Sequence, residues 1–251
     1  MTDMPVLRLP DGQLECELVI FDMTGTLIDA KARIRARAKS RARVLGKLVG
    51  DEAVVNWARL SGVDLGTWDA DEDGPLARAP RKEDLIVAAS AIYLTGRRWE
   101  EAKELAQKVY DEADMELAST YEPALFNGIG DALRRLKGAG MKLAIATNDR
   151  RADAEETMRT IGVLDLFDAV IGADDVENPK PSPDMILLAC ERCGCPPTRA
   201  VCVGDLPSDM EAGRAAGAKA VIAVSQGPEP SPELLATADF TVESVSGLQA
   251  I

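Results

Sequence analysis

Val19-Ile20-Phe21-Asp22-Met23-Thr24-Gly25-Thr26-Leu27 decides how this chain is read. An apolar run of strand length ends there on an acid, and Gly25 then breaks the strand. Open α/β sheets bind their ligands beyond the carboxyl ends of the strands, so Asp22 stands where a functional carboxylate would. A structural Asp would more often cap a helix, and this stretch alone does not choose between the two.

Working outward, Val6 to Leu9 and Leu14 to Phe21 flank the turn-forming cluster Pro10-Asp11-Gly12. They predict a hairpin whose second arm becomes the first core strand. Downstream, apolar residues recur at three- and four-residue spacing over 31–49, 51–60, 82–94 and 98–119, the period of helices. Ser61 to Pro80 between them is rich in Gly, Asp and Pro and reads as a loop. After Pro123 the pattern changes to short apolar runs alternating with helices. Lys142–Thr147, Ala169–Ile171, Ala200–Val203, Ala220–Val224 and Asp239–Val242 have the character of parallel strands buried on both faces. Helices over 127–139, 151–161, 183–193 and 208–216 separate them. The expected fold class is therefore α/β, a doubly wound parallel sheet with an inserted all-α domain. The core is expected to comprise 1–29 and 122–251, and the insert 30–121.

Composition narrows the function. The 251 residues include 46% hydrophobic but only 4% aromatic side chains, so small aliphatic residues must fill the core. With 42 acidic against 29 basic residues, the net charge of −13 opposes general nucleic-acid affinity, which needs clustered positive charge. No stretch has the roughly 18 apolar residues of a membrane span, and the amino terminus carries no secretory pattern. The expectation is a cytoplasmic protein. The absence of histidine removes Ser-His, Cys-His and histidine-ligated metal chemistry. Of five cysteines, Cys190, Cys193 and Cys195 lie close together, but a structural zinc site wants four ligands in paired spacings. Buried thiols acting as small hydrophobes are the simpler reading.

Three further segments bear on Asp22: Leu143-Ala144-Ile145-Ala146-Thr147-Asn148, Asn178-Pro179-Lys180-Pro181-Ser182-Pro183-Asp184, and Val201-Cys202-Val203-Gly204-Asp205 with Asp209 beyond it. Taken singly each has an ordinary explanation. Thr147-Asn148 could cap a helix, Lys180 could be loop surface in a rigid extended turn, and Asp205 and Asp209 could complement a helix dipole. In this order, the four segments resemble the signature motifs of the haloacid dehalogenase superfamily of phosphoryl-transfer enzymes. The likeness takes in nearly all of 123–225 and is strongest toward phosphoglycolate-phosphatase-like members.

That resemblance implies a Rossmann-like core with a helical cap and assigns roles by position. Asp22 would be the nucleophile that forms an aspartyl-phosphate, splitting one hard displacement into two easier ones. Asp22, the backbone carbonyl of Thr24, Asp205 and Asp209 would hold Mg²⁺, a hard cation that prefers oxygen. Thr147, Asn148 and Lys180 would bind the phosphoryl group, with Lys180 also pinning the nucleophile. Phosphatases of this kind carry a second Asp two residues after the nucleophile as general acid and base, and here that position is Thr24. A hydroxyl cannot exchange protons near neutral pH as a carboxyl can. P-type ATPases resemble the chain at Asp-x-Thr-Gly-Thr-Leu and keep a long-lived phosphoaspartate.

The first cap helix is the second departure. Lys31, Arg33, Arg35, Arg37, Lys39, Arg41, Arg43 and Lys47 occur with no acid between them, around a narrow stripe of Ile34, Ala38, Leu45 and Val49. They form either a solvated face offset by the acidic remainder or a flank that looks into the cleft and holds an anionic group of the substrate. The function these features predict is a Mg²⁺-dependent phosphohydrolase of a small phosphorylated metabolite, acting as monomer or homodimer. The alternatives are a phosphonatase-like C–P hydrolase with Lys82 as Schiff-base lysine, a low-turnover phosphometabolite-binding regulator, and a metal-free dehalogenase. Asp205 weighs against the last.

Overall fold

The computed structural model describes residues 4–10, 12–71, 73–120, 122–226 and 230–250. It divides into two compact units, Met1–Asp29 with Pro123–Ile251, and Ala30–Glu122. Among the described residues no helix is long and apolar enough to cross a membrane.

The first unit begins with β1 (Val6–Leu9) and β2 (Gly12–Glu15), an antiparallel pair, followed by β3 (Leu18–Phe21). The expected single long arm is split in two. The N–H of Cys16 donates to Pro5 C=O at 3.0 Å, still completing the hairpin, whereas the next N–H, of Glu17, donates to Arg199 C=O at 2.9 Å. The chain thus changes sheets within one peptide. Of the turn expected at Pro10-Asp11-Gly12, Asp11 lies outside the described residues.

The second unit is helical: α1 (Ala30–Leu48), α2 (Asp51–Ser61), α3 (Pro75–Arg78), α4 (Arg81–Tyr93) and α5 (Trp99–Thr120). The segment read as a loop contains the one-turn α3, with Pro75 at its first position, where the missing N–H costs nothing. Helices α1 and α4 each pack on both α2 and α5 around Trp57, Tyr110, Leu45, Ile92 and a set of alanines.

The chain then returns to the first unit through α6 (Ile129–Gly138), β4 (Lys142–Ala146), α7 (Arg151–Ile161), β5 (Ala169–Ile171), α8 (Asp184–Cys193) and β6 (Ala200–Gly204). It ends with α9 (Pro207–Ala215), β7 (Ala220–Val224), α10 (Pro232–Thr237), β8 (Phe240–Val242) and β9 (Gln249–Ala250). The two-residue β9, which the sequence reading lacks, joins β1 as the third strand of the small antiparallel sheet.

The main sheet is parallel throughout, in the order β5-β4-β3-β6-β7-β8. Alternate residues feed two different cores, the consequence of a two-residue period with helices on both faces. Val19, Phe21, Leu143, Ile145, Val201, Val203 and Ile222 face one side, with α6 and α7. Ile20, Ala144, Ala146, Cys202 and Ala223 face the other, with α8 and α9. That second face is built of small residues, and α9 comes close enough that a Cβ on Gly213 would lie 2.6 Å from Val221. Four of the five cysteines belong to this core, and all five are buried free thiols. Burial pushes the Cys190 thiol up to about 12 and that of Cys193 up to about 11. They serve as small hydrophobes.

Strand order reverses between β3 and β6, since the chain runs outward from β3 through β4 to β5, then restarts at β6 on β3's other side. Such a switch point opens a crevice at the carboxyl ends of the two strands. Asp22 follows β3 and Asp205 follows β6.

Candidate active site

Three carboxylates converge at that crevice. One oxygen from each of Asp22, Asp205 and Asp209 lies within 4.8 Å of the others. Lys180 enters from the loop before α8, and its buried ammonium donates to Asp22 Oδ1 at 2.7 Å, Asp209 Oδ1 at 2.6 Å and Ala146 C=O at 2.8 Å. All three hydrogen positions of the amine are thereby used. The lysine segment is a turn rather than part of a helix, and a tight one. Ser182 N–H bonds back to Pro179 C=O at 2.9 Å, and the Lys180–Pro181 peptide is cis. The Asp184 carboxylate braces it by accepting from Ser182 Oγ at 2.8 Å and Asn178 Nδ2 at 3.1 Å.

Two glycines make the convergence possible. A Cβ on Gly25, whose φ is 97°, would lie 2.1 Å from Asp205 Oδ2, and one on Gly204 would lie 2.3 Å from Asp209 Oδ2. Asp209 also does structural work. Its Oδ2 accepts the Leu206 N–H at 3.0 Å at the start of α9, while Oδ1 takes Lys180. The helix-terminus explanation therefore holds for one of its oxygens and the ion pair for the other. Asp205 precedes the helix and has a different partner, the hydroxyl of Thr26, which donates to Oδ1 at 2.7 Å.

Three carboxylates against one ammonium leave an excess of negative charge in a largely buried crevice. Burial pushes the Asp22 carboxyl up to about 6, Lys180 pulls it back and Asp209 adds to the rise. Burial, then Asp22 and Asp209, hold Asp205 well above the usual carboxylate range against the Thr26 hydrogen bond. Burial alone would lower Lys180, but Asp209 and Asp22 outweigh it and keep the amine charged. Oxygen-only donors with surplus negative charge suit a hard divalent cation, which would favour the ionised form of all three carboxylates.

Thr147 follows β4 and is buried, its Oγ1 accepting the Asp149 N–H at 3.2 Å, which leaves a hydroxyl still able to donate. Asn148 donates from Nδ2 to Lys180 C=O at 3.3 Å, and its buried Oδ1 has no hydrogen-bond partner among the described residues. These contacts join the end of β4 to the lysine turn. Thr24 lies in the tight loop after β3, closed by Gly25 N–H to Ile28 C=O at 2.9 Å and by Leu27 and Ile28 N–H to Met23 C=O at 2.9 and 3.0 Å.

A family model, haloacid dehalogenase-like hydrolase, matches residues 16–217. This chain belongs to the haloacid dehalogenase-like hydrolases. Among its relatives, a phosphoglycolate phosphatase of Shigella dysenteriae serotype 1 is 31% identical over 212 residues, 81% of this chain and 79% of the relative. A putative β-phosphoglucomutase from Thermotoga maritima is 25% identical, with a TM-score of 0.63 over 92% of this chain and 95% of its own. A predicted phosphoglycolate phosphatase from Haemophilus somnus 129PT shares the fold, with a TM-score of 0.69 at 19% identity over 94% and 97% of the two chains.

In this haloacid dehalogenase-like hydrolase, two residues at the site escape a reading of the sequence. Thr26 sits inside the opening motif but carries no signal for its bond to Asp205. Gln226, just after β7, donates to Thr26 C=O at 2.6 Å across a separation of 200 positions. Neither contact has a local pattern that could reveal it.

The expectation of a solvated face does not hold along the whole basic helix. Arg41 is buried, ion-paired with Asp84 and stacked 3.9 Å from the Tyr110 ring centre, while the Tyr110 hydroxyl donates to Asp84 at 2.8 Å. Arg43 pairs with Glu116, Arg35 with Asp69 at 2.6 Å, and Lys47 with Glu112 at 3.8 Å. Much of the positive charge is thus matched inside the helical unit. Lys82, in the first turn of α4, is exposed and lacks the desolvation that activates a Schiff-base lysine.

Proposed function

We propose that this hydrolase is a Mg²⁺-dependent phosphatase of a small organic phosphomonoester, with Asp22 as its covalent nucleophile. One observation carries the reading: a single buried ammonium bonds both Asp22 and Asp209 beside Asp205, so nucleophile, fixed cation and oxygen-rich metal site occupy one crevice. Phosphoryl transfer needs those three elements and little else. Names of relatives such as phosphoglycolate phosphatase make a small carboxylated phosphomonoester the first substrate to assay.

Asp22, Asp205, Asp209 and the Thr24 carbonyl would hold Mg²⁺, which would offset phosphate charge so that two anions can approach. An Asp22 carboxylate oxygen attacks phosphorus, the ester P–O bond breaks with its electron pair leaving on the alcohol oxygen, and an aspartyl-phosphate forms. Water then attacks that phosphorus, releasing phosphate and restoring the carboxylate. Lys180 holds Asp22 and lends its positive charge to the transferring group, with Thr147 and Asn148 donating to the phosphoryl oxygens. Thr24 supplies no carboxyl to protonate the leaving oxygen or deprotonate the water, so both steps are slower than with an acid at this position. Residues 30–121 form the cap that selects substrate and excludes water, in a cytoplasmic enzyme.

The test is a screen of phosphorylated metabolites with and without Mg²⁺, run beside Asp22→Asn. Hydrolysis that needs Mg²⁺ and disappears in Asp22→Asn is expected. Equal hydrolysis by Asp22→Asn, purified free of contaminating phosphatase, removes the covalent mechanism.

A further inference from the structure

We infer that Gln226 is a positioning residue which, through Thr26, fixes the Asp205 carboxylate and so sets the affinity of the site for a divalent cation. The inference rests on the reading of Asp22, Asp205 and Asp209 as a metal site. It adds a residue from outside the four motif segments.

The argument begins with strand order. β6 lies between β3 and β7, so a bond from Gln226 beyond β7 to Thr26 beyond β3 passes over the end of β6, where Asp205 sits. At about 4.8 Å per strand the two parent strands are about 10 Å apart, and the amide closes that gap with a 2.6 Å hydrogen bond. Thr26 is fully buried and is held twice. Its carbonyl receives Gln226 and its hydroxyl donates to Asp205 Oδ1 at 2.7 Å. With Oδ1 fixed, Oδ2 stands in the space left by the missing Cβ of Gly25. The carboxylate is thus oriented before any cation arrives, and cation binding need not immobilise it.

The chemistry of the donor also matters. An amide supplies the N–H without charge, so the excess of three carboxylates over one ammonium stays available to the cation. A lysine or arginine at 226 could make the same bond but would compete electrostatically with the metal. Groups that orient metal ligands in this way are typically worth about 10–100-fold in metal affinity.

The experiment is a calorimetric titration of the metal-free protein with Mn²⁺ alone, accompanied by melting in EDTA. Gln226→Met keeps the volume and loses the donor, and is expected to raise the Mn²⁺ Kd about 10-fold or more. Gln226→Asn, one methylene short, is expected to do the same and serves if the first variant folds poorly. Thr26→Val should raise Kd, Thr26→Ser should restore it, and Gln226→Met should add little on top of Thr26→Val, since both break one chain of contacts. A merely structural tie would lower the melting point in EDTA and leave Kd unchanged. Wild-type Kd in a folded Gln226→Met or Gln226→Asn protein overturns the inference. Failure of the wild type itself to bind Mn²⁺ overturns the metal-site reading instead.

Discussion

Replacing Lys180 by Met removes a charge and three hydrogen bonds while keeping most of the side-chain volume. The ammonium lies buried between Asp22 and Asp209, and breaking a buried ion pair on one side typically costs about 3–5 kcal/mol. For a chain of this size each kcal/mol shifts the melting point by about 2–4 °C, so a fall of about 6–20 °C is expected in EDTA at pH 7.5. The pH dependence separates charge from packing. Asp22 already binds its proton more tightly in the folded protein, up to about 6 against 3.8. The folded state therefore holds more protons than the unfolded one between those values, and stability falls as pH rises through that window, by about 3 kcal/mol for this group. Loss of Lys180 pushes the carboxyl higher still. The Lys180→Met deficit should then shrink at pH 5, where protonation relieves the repulsion, and shrink at pH 7.5 on adding Mg²⁺. Melting followed by circular dichroism at both pH values, with EDTA or Mg²⁺, measures all of this. A deficit of the same size at pH 5 and pH 7.5 would show that the lysine contributes packing, and the electrostatic account of the site would fail.

Three other outcomes are expected. Thr24→Asp should accelerate hydrolysis of alkyl phosphates by roughly 10-fold or more and abolish a phosphoenzyme burst visible by intact-protein mass. A native enzyme that turns over alkyl phosphates without a burst, and is slowed by Thr24→Asp, would place the proton donor elsewhere. Gly204→Ala should cost about 1–3 kcal/mol in denaturant unfolding, because its Cβ must displace the Asp209 side chain or the strand, and should weaken Mn²⁺ binding in parallel. In the helical unit, Arg41→Met should cost about 3–5 kcal/mol by leaving Asp84 buried and unpaired, and adding Asp84→Leu should recover much of the loss. An additive double variant would dismiss the pair.

What the sequence discloses follows from the range over which each signal acts. β4 from Leu143 on, β5 and β7 show as uninterrupted apolar runs because both faces are covered, and their neighbours barely alter that pattern. The break at Cys16-Glu17 leaves no trace, since it depends on which distant carbonyls, Pro5 and Arg199, receive two successive N–H groups. β9 and α3 are too short for any period to register. At the site, strand-end acids and a lysine set among prolines stand out as residue types out of place, and Asp22, Lys180, Asp205 and Asp209 do come together. Thr26 and Gln226 are of unremarkable type, and only the strand order brings them into contact. The basic helix shows the opposite limit. Its charges are plain in the sequence, but the acids that match them come from distant positions, in other helices and in the loop before α3.

The insertion point has a consequence for synthesis. Ile28 pairs with Leu125, and Phe126 N–H bonds Leu27 C=O at 3.0 Å, so the chain leaves the first unit and re-enters it side by side. β3, four buried apolar residues, is translated well before its sheet neighbours, which begin only at Lys142 and Ala200. At about 5–20 residues per second the ribosome takes on the order of 10–40 s to deliver both. Residues 30–122 emerge in that interval as one continuous segment with its own core. The nascent chain must therefore hold this apolar strand without its sheet neighbours while the inserted segment is made, and yield in a cell should respond to translation speed and to chaperones that shield that strand.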